Sequence, residues 1–240
     1  MKKTLVVLVG ILMFAIATTA FAETKVTVGM KVWENKWDWK DEPLGSTSQT
    51  WDNGTALMVG PSLNLRFGDH FFVGATYLKS MKDYESSDWV TSTDKMAFER
   101  TDLDLTMGVM FTRYFGMFAG YKTVEAPATY TSGAGVSVDM GTMTLKGPGF
   151  GLVASIPLGG SAALYGNLAF MQMTREWSKF YTSSLDEAGV SLELGAAVAF
   201  TESFSGTLGY KLQSFAGDDA YGNTHTDTFT GVTLGLNLTF

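Results

Sequence analysis

Apolar residues recur at every second position along almost the whole chain, and the spacing typical of an amphipathic helix is nearly absent. The last segment is the clearest case, because Val232, Leu234, Leu236, Leu238 and Phe240 alternate with small or polar residues. Side chains at a spacing of two lie on one face of a β-strand. The pattern therefore predicts an all-β fold.

Ten alternating segments follow one another, and the connections between them are short and long in turn. The short turns lie near residues 69, 114, 159 and 202, and the long polar segments cover roughly 34–54, 80–99, 123–142, 174–187 and 214–227. Tight turns at one end and long loops at the other are typical of outer-membrane barrels. We predict a transmembrane antiparallel up-and-down β-barrel of about ten strands, with eight or twelve as alternatives.

The first 22 residues have the features of a secretory signal peptide. Lys2 and Lys3 precede the apolar run Leu5–Ala17, and Ala20-Phe21-Ala22 is a small-x-small cleavage site. We therefore expect residues 1–22 to be removed on export and residues 23–240 to form one β-barrel domain. No later stretch approaches the ~18 uninterrupted apolar residues of a membrane helix, so any membrane crossing is expected to use strands.

Two barrel architectures share this alternation, and they differ in which strand face meets water. A secreted soluble up-and-down barrel that binds an apolar ligand keeps its apolar face inside, whereas a membrane barrel turns that face to lipid. The second strand face holds mostly Gly, Ala, Ser, Thr and Asn, and charged residues make up only 17% of the chain. Soluble domains carry about 25% charged residues. We therefore expect lipid on the aliphatic side and small, polar residues around the lumen.

Aromatic residues near both ends of the predicted strands suggest two interfacial girdles. The predicted girdle near the tight turns contains Phe67, Phe71, Phe111, Phe200 and Phe204. The predicted girdle toward the long loops contains Trp33, Tyr77, Tyr121, Trp177 and Tyr210. In the first long loop, Trp37, Trp39 and Trp51 are expected either to anchor and pack that loop or to stack on a bound sugar or partner.

A few charged residues interrupt the small-residue face and are predicted to lie in the lumen. They are Lys31, Arg66, Asp102, Asp104, Lys122, Glu193 and Lys211. A hairpin centred on Glu202 sets Glu193 directly opposite Lys211, and the hairpin near Tyr114 sets Lys122 opposite or diagonal to Asp104. These charges form either a salt-bridged structural plug or an ion-selective constriction. Ten strands leave room for at most a narrow pore.

With these features, the mature chain resembles the small, porin-like outer-membrane β-barrel proteins of Gram-negative bacteria. The most specific local feature is the alternating C-terminal segment that ends in Phe240, which is similar to the signal that the outer-membrane assembly machinery recognises in that family. The resemblance implies a location in the cell outer membrane. It also implies that the partners are outer-membrane lipid and the barrel-assembly machinery, and we expect a monomer.

The leading functional expectation is a non-enzymatic protein, either a porin-like narrow channel for small solutes or a surface-structural or adhesive barrel that acts through its extracellular loops. A net charge of -7 without clustered Lys and Arg argues against nucleic-acid binding. The chain has no Cys, which excludes thiolate catalysis and Cys-based metal sites. We predict no catalytic residue, metal or cofactor.

The alternative function is a hydrolase at the rim of the barrel. Ten-stranded barrels include the omptin proteases, which carry an Asp-x-Asp pair and an Asp-x-His pair at the extracellular rim. A resemblance to them would imply the same two pairs at the rim of this barrel. Asp102-Leu103-Asp104 matches the first pair, whereas His225-Thr226-Asp227 has the second pair in reversed order. Water activated between carboxylates and a His is feasible chemistry. A lipid A modifying enzyme would need a rim His with a Ser or an acidic partner.

Overall fold

The computed structural model describes residues 24–45, 47–87, 93–179, 184–219 and 221–240. The predicted signal peptide over residues 1–22 lies outside these described residues. Within them, no helix is long and apolar enough to cross a membrane. The strands are β1 Thr24–Glu42, β2 Gln49–Phe67, β3 Phe71–Ser80, β4 Tyr84–Ser87, β5 Lys95–Phe98, β6 Thr101–Met110, β7 Phe115–Thr131, β8 Ser137–Gly159, β9 Ala162–Trp177, β10 Leu185–Ala199, β11 Phe204–Asp218 and β12 Thr224–Thr239.

Ten of these strands close into an antiparallel barrel. Neighbouring strands run in the order β1-β2-β3-β6-β7-β8-β9-β10-β11-β12, and β12 pairs with β1 to complete the ring. The main chain of Phe240 joins the closure, because its N–H donates to the carbonyl oxygen of Val26 at 2.9 Å. The predicted ten-stranded barrel is confirmed.

The two remaining strands form a hairpin that the sequence pattern did not reveal. β4 pairs with β5, and β5 pairs with the end of β7, with Lys95 opposite Thr131 and Phe98 opposite Ala128. The hairpin lies within residues 80–99, which were predicted to be an irregular loop. Two strands of four residues are too short for alternation to be distinguished from chance.

The barrel extends well beyond the thickness of a membrane. β1 has 19 residues and β8 has 23, whereas about 9–11 residues cross a bilayer. Much of the predicted long segments 34–54, 123–142, 174–187 and 214–227 is therefore strand, and that prediction was wrong. At this loop end the strands are joined by the shorter segments 43–48, 132–136, 178–184 and 219–223 and by the region 81–100 that holds the β4–β5 hairpin. The opposite, turn end has the predicted short connections 68–70, 111–114, 160–161 and 200–203.

Strand β1 shows how one alternation serves two environments. Its outward-facing residues are apolar in the first part, namely Val26, Val28, Met30 and Val32, and charged in the second, namely Glu34, Lys36, Asp38, Lys40 and Glu42. The inward side reverses in the same way, because Lys31 is followed by the fully buried Trp33 and then by Trp37. The turn-end half therefore has the pattern of a membrane barrel, and the loop-end half has the pattern of a soluble one.

Large aliphatic and aromatic side chains cover the outside of the turn-end half. Met30, Leu105, Phe150, Leu194 and Leu236 are all exposed on the outer wall. Exposed apolar surface of this extent is stable only against lipid or a partner. The aliphatic face points outward, as predicted.

Glycines let neighbouring strands approach closely at the height where the outward-facing residues change from apolar to charged. The strand pairing is interrupted beside Gly60, Gly147 and Gly231. A Cβ at these positions would collide with the carbonyl oxygens of Tyr77, Gln172 and Glu34, respectively. Proline follows the first two glycines and has no N–H to donate. Only glycine fits this closely packed part of the wall.

Candidate functional site

Charged side chains cross the lumen at the height where the two halves meet. The Arg100 guanidinium donates from Nε to Asp102 Oδ1 at 2.6 Å and from Nη2 to Oδ2 at 2.8 Å. Lys122 Nζ lies 2.7 Å from Asp102 Oδ2 and 2.9 Å from Asp104 Oδ1. The side chains of Arg100, Asp102 and Lys122 are at most 1% exposed. Because each charge has a partner of opposite sign, the cluster is stable away from water.

A second part of this network centres on Glu193. Lys31 Nζ lies 2.8 Å and 2.9 Å from the two Glu193 carboxylate oxygens, and the hydroxyls of Tyr165 and Thr233 donate to Oε1 at 3.2 Å and 3.1 Å. Together with Lys211, these two groups of charges form the ion-pair layer, which consists of Lys31, Arg100, Asp102, Asp104, Lys122, Glu193 and Lys211.

The strand register at Glu193 is the predicted one, and the register at Asp104 is one of the two predicted alternatives. Glu193 pairs across the strands with Lys211, and Asp104 pairs directly with Lys122. The ionic partners of Glu193 and Lys211 are not their strand neighbours. Glu193 bonds to Lys31 from across the lumen, and Lys211 Nζ lies 3.7 Å from Asp104 Oδ2. Cross-strand pairing could be read from the hairpin, but a contact across the barrel depends on its closure.

Two positions show where the predicted set of lumen charges was incomplete. Arg66 lies near the turn end, half-buried, and donates to the backbone carbonyl of Asp69 at 3.1 Å instead of joining the ion-pair layer. Arg100 was not predicted, because residues up to 99 were interpreted as loop and Arg100 directly follows them. Its position two residues before Asp102, and thus on the same strand face, is the signal that could have identified it.

Aromatic side chains fill the lumen on the loop side of the ion-pair layer. The Trp37 ring centroid lies 4.8 Å from that of Phe98, 5.3 Å from Phe229 and 5.6 Å from Tyr84. The Arg100 guanidinium stacks 3.8 Å from the Phe229 ring centroid. We call the group of six aromatic residues, each at most 3% exposed, the aromatic plug: Trp33, Trp37, Tyr84, Phe98, Phe215 and Phe229.

Two residues of the predicted loop-end girdle, Trp33 and Trp177, do not lie at the membrane interface. Trp33 is fully buried inside the barrel, and Trp177 packs against the buried core rather than facing lipid. Both have the parity of lumen residues on their strands, Trp33 with Lys31 and Trp177 with Arg175. Assigning them to a girdle by residue type ignored this parity, and buried aromatic packing outweighs interfacial preference here.

The other predicted girdle residues lie at the outer wall or near the turns. Exposed side chains are Tyr77, Phe111, Tyr121, Phe200 and Tyr210. Half-buried side chains are Phe67, Phe71 and Phe204. Phe200 and Phe204 pack on each other across their turn, with ring centroids 5.2 Å apart.

A polar cluster lies on the loop side of the plug. Arg175 forms ion pairs with Asp227 and with Glu187, the latter at 2.6 Å from Nε to Oε1. Trp37 Nε1–H donates to the other oxygen of Asp227 at 2.6 Å, which connects this cluster to the plug. Arg175, Glu187 and Asp227 are all buried, so this half of the lumen is also filled by partnered side chains.

The loop-end rim carries the histidine considered for hydrolysis. His225 Nδ1 lies 3.3 Å from Asp41 Oδ1, and Nε2 lies 3.5 Å from Asp219 Oδ2. The backbone N–H of Asn223 donates to Asp219 and is the main cause that lowers the pKa of its carboxyl to about 2. Asp219 is therefore ionised at any physiological pH.

The tryptophans expected in the first loop have structural contacts. Trp39 and Trp51 are opposite each other on β1 and β2, with ring centroids 5.1 Å apart. Trp37 belongs to the aromatic plug.

The residues of the proposed omptin-like site are in three separate groups. Asp102 and Asp104 belong to the buried ion-pair layer, Asp227 is engaged by Arg175 and Trp37, and His225 contacts Asp41 and Asp219. No contact recorded among the described residues joins His225 to either member of the Asp102–Asp104 pair. Among the residues that the structure describes, no group of three or more His, Asp and Glu side chains is arranged to hold a metal ion.

On the turn side of the ion-pair layer the lumen is hollow. A cavity of about 220 Å³ lies there, and Lys31, Asp104, Lys122, Glu193 and Lys211 line its inner end. Lumen-facing residues nearer the turns are more accessible than the plug, because Asn64 is exposed and Thr106 and Asn237 are half-buried. The interior is therefore a pocket with a closed inner end.

Comparison with known proteins agrees with this architecture. The family described as outer membrane protein beta-barrel domain matches residues 5–240. Among curated proteins, no sequence matches the chain. The outer membrane protease OmpT from Escherichia coli has a similar structure, with a TM-score of 0.59 at 13% identity over 90% of this chain and 97% of that protein.

Weaker similarity extends to barrels of other kinds. The toluene transporter TodX of Pseudomonas putida matches with a TM-score of 0.33 at 11% identity, covering 93% of this chain and 92% of that one. Ail, the attachment invasion locus protein of Yersinia pestis, matches with a TM-score of 0.40 at 7% identity, covering 90% and 99%. At these identities the likeness concerns the fold alone. The closed ten-stranded ring, its lipid-facing wall and the family match over nearly the whole chain together show that this protein is an outer-membrane protein of the β-barrel domain family.

Proposed function

We propose that the protein is a non-enzymatic surface-structural or adhesive barrel that does not conduct solutes and acts through its loop end. The observation that carries this proposal is the filled lumen. The aromatic plug and the ion-pair layer lie in series across the barrel, and the plug side chains are at most 3% exposed. Between the two functions expected for a non-enzymatic barrel, this packing favours the surface role over a porin-like channel.

The loop end offers side chains for binding a partner. Leu44, Met81, Val136 and Tyr221 are apolar or aromatic residues in four different loop-end connections, and each is at least 60% exposed. The backbone N–H of Leu44 donates to Asn223 Oδ1 at 3.1 Å, which holds the first and last of these connections together. Contiguous apolar patches with a polar rim mark protein interaction surfaces, and these four residues would contribute to such a patch at the loop end.

The expected partners fit the same proposal. Outer-membrane lipid would cover the apolar wall of the turn-end half. The barrel-assembly machinery would recognise β12 and the terminal Phe240, whose side chain is 76% exposed. We propose that the protein is a monomer, because the ten barrel strands pair with one another in a closed ring and need no second copy to complete it.

A planar-bilayer recording tests the closed lumen. Purified protein inserted in a bilayer with concentrated potassium chloride on both sides is expected to show no stepwise current, because the plug and the ion-pair layer leave no continuous aqueous path. A general porin reconstituted in parallel shows that insertion is efficient. Reproducible current steps from the wild-type protein would contradict the proposal and support a narrow channel.

A second candidate function is a rim hydrolase, and the position of His225 is the observation that favours it. The ring lies between the carboxylates of Asp41 and Asp219 at the accessible end of the barrel. The barrel is compared with its His225→Ala variant on unstructured peptides and on lipid A. We expect no turnover above background from the wild type or the variant. The reason is that Asp102 and Asp104 are paired with Arg100 and Lys122 in the ion-pair layer and not with His225 at the rim. Hydrolysis that depends on His225 would establish an enzyme.

A further inference from the structure

The ion-pair layer contains more positive than negative charge. Its cations are Lys31, Arg100, Lys122 and Lys211. Its anions are Asp102, Asp104 and Glu193. Four cations and three anions leave one positive charge in a layer where five of the seven charged side chains are at most 8% exposed, the others being Lys31 and Asp104. An uncompensated buried charge is unfavourable unless water or a counter-ion reaches it.

Lys211 is the cation with the weakest partner. Its Nζ lies 3.7 Å from Asp104 Oδ2, whereas the shortest oxygen distances of Lys31, Arg100 and Lys122 are 2.6–2.8 Å. The Lys211 ammonium also lies 4.7 Å from the Trp33 ring centroid, a cation–π distance. Its side chain is 8% exposed. The excess positive charge of the layer is therefore concentrated on Lys211.

The anions near Lys211 are already engaged by other groups. Glu193 lies opposite Lys211 in the strand register, yet it accepts hydrogen bonds from Lys31, Tyr165 and Thr233. Asp104 accepts a shorter bond, of 2.9 Å, from Lys122. Neither carboxylate is left to neutralise the Lys211 ammonium closely.

Lys211 lines the turn-side cavity together with neutral polar side chains. Thr76, Asn167 and Ser191 also line it, and each carries a group that can donate a hydrogen bond. The volume of about 220 Å³ is large enough for a small ion with several waters. The plug blocks the loop side, so a solute would enter from the turn end, which faces the periplasm in outer-membrane barrels.

We propose that this cavity is a binding site for a small anion, such as inorganic phosphate or a halide, with the Lys211 ammonium as its counter-charge. Thr76, Asn167 and Ser191 supply hydrogen bonds to it. A cation is disfavoured by the net charge of the layer, and the engaged carboxylates offer it no ligand. The site has a single entrance, so the anion binds there without crossing the barrel.

Crystals soaked in iodide test the position of the site, because iodide is located directly by its anomalous scattering. The expected result is an anomalous peak in the cavity next to Lys211 Nζ in the wild-type protein. In Lys211→Met, which keeps the length of the side chain but removes its charge, the peak should disappear. An absent peak in the wild type, or an equal peak in Lys211→Met, would overturn the proposal.

Calorimetric titration with inorganic phosphate measures the affinity. We expect Lys211→Met to bind phosphate about tenfold or more weakly than the wild type, since a hydrogen-bonded ion pair is lost. Lys211→Arg, which keeps the charge, should retain binding and covers the case in which the Met variant does not fold. Lys36→Met is the matched control, because Lys36 lies on the outside of the loop-end half in surface ion pairs with Asp38 and Asp52. Phosphate binding that is the same in all four proteins would show that Lys211 is not part of a site.

Discussion

Replacing Asp102 by Asn should lower the free energy of unfolding by about 3–5 kcal/mol, the cost of breaking a buried ion pair from one side. Asp102 neutralises both Arg100 and Lys122, and all three side chains are at most 1% exposed. Asparagine would fill the same space but would remove the carboxylate that Arg100 contacts and leave Lys122 with Asp104 alone. Urea unfolding of the refolded barrel in detergent, followed by tryptophan fluorescence, measures the change.

The control for this prediction is an ion pair on the outer surface. Lys36 and Asp38 approach to 2.9 Å, but their side chains are 44% and 30% exposed. Asp38→Asn should therefore change stability by at most about 1 kcal/mol. If Asp102→Asn were as mild as Asp38→Asn, water would have to reach Arg100 and Lys122 freely, and the close packing of this part of the ion-pair layer would be refuted.

Phe229→Ala should be similarly severe, with a loss of about 3–5 kcal/mol in the free energy of unfolding. Phe229 is fully buried between Trp37 and Phe215, and the Arg100 guanidinium stacks on its ring at 3.8 Å. Truncation would leave a cavity in the plug and remove the cation–π contact. The same urea titration measures the loss.

Tyr221→Ala is the matched aromatic control, because Tyr221 is 83% exposed in a loop-end connection. Truncation of an exposed side chain changes stability by no more than about 0.5 kcal/mol. A loss below about 1 kcal/mol for Phe229→Ala would mean that the loop-end lumen is loosely filled rather than packed.

The residue alternation was sufficient to predict the barrel, its short turns and the pairing of its hairpins. Glu193 opposite Lys211 follows from turn position, because antiparallel neighbours are determined once the turn is located, whereas turn position left Lys122 opposite or diagonal to Asp104 and the structure shows it opposite. Contacts across the lumen, such as Lys31 to Glu193, join β1 to β10 and depend on how ten strands close. No local pattern contains that information.

The candidate site was predicted only in part for a related reason. Trp33 and Trp177 were assigned to the membrane interface by residue type, on the rule that apolar residues lie outside and polar residues inside along the whole of each strand. That rule holds on β1 up to Val32 and reverses at Glu34, where the wall leaves the membrane. Beyond this point water is outside, so the large aromatic residues are buried inside as the plug.

The sequence by itself determined the all-β class, the ten strands of the ring at their turn ends and which residues share a strand face there, since a period of two is a property of each strand alone. Whether the inside of that ring is open or filled was decided only by the tertiary structure. Filling depends on which side chains from non-adjacent strands meet at the same height, and that height is determined by strand tilt and closure of the whole barrel.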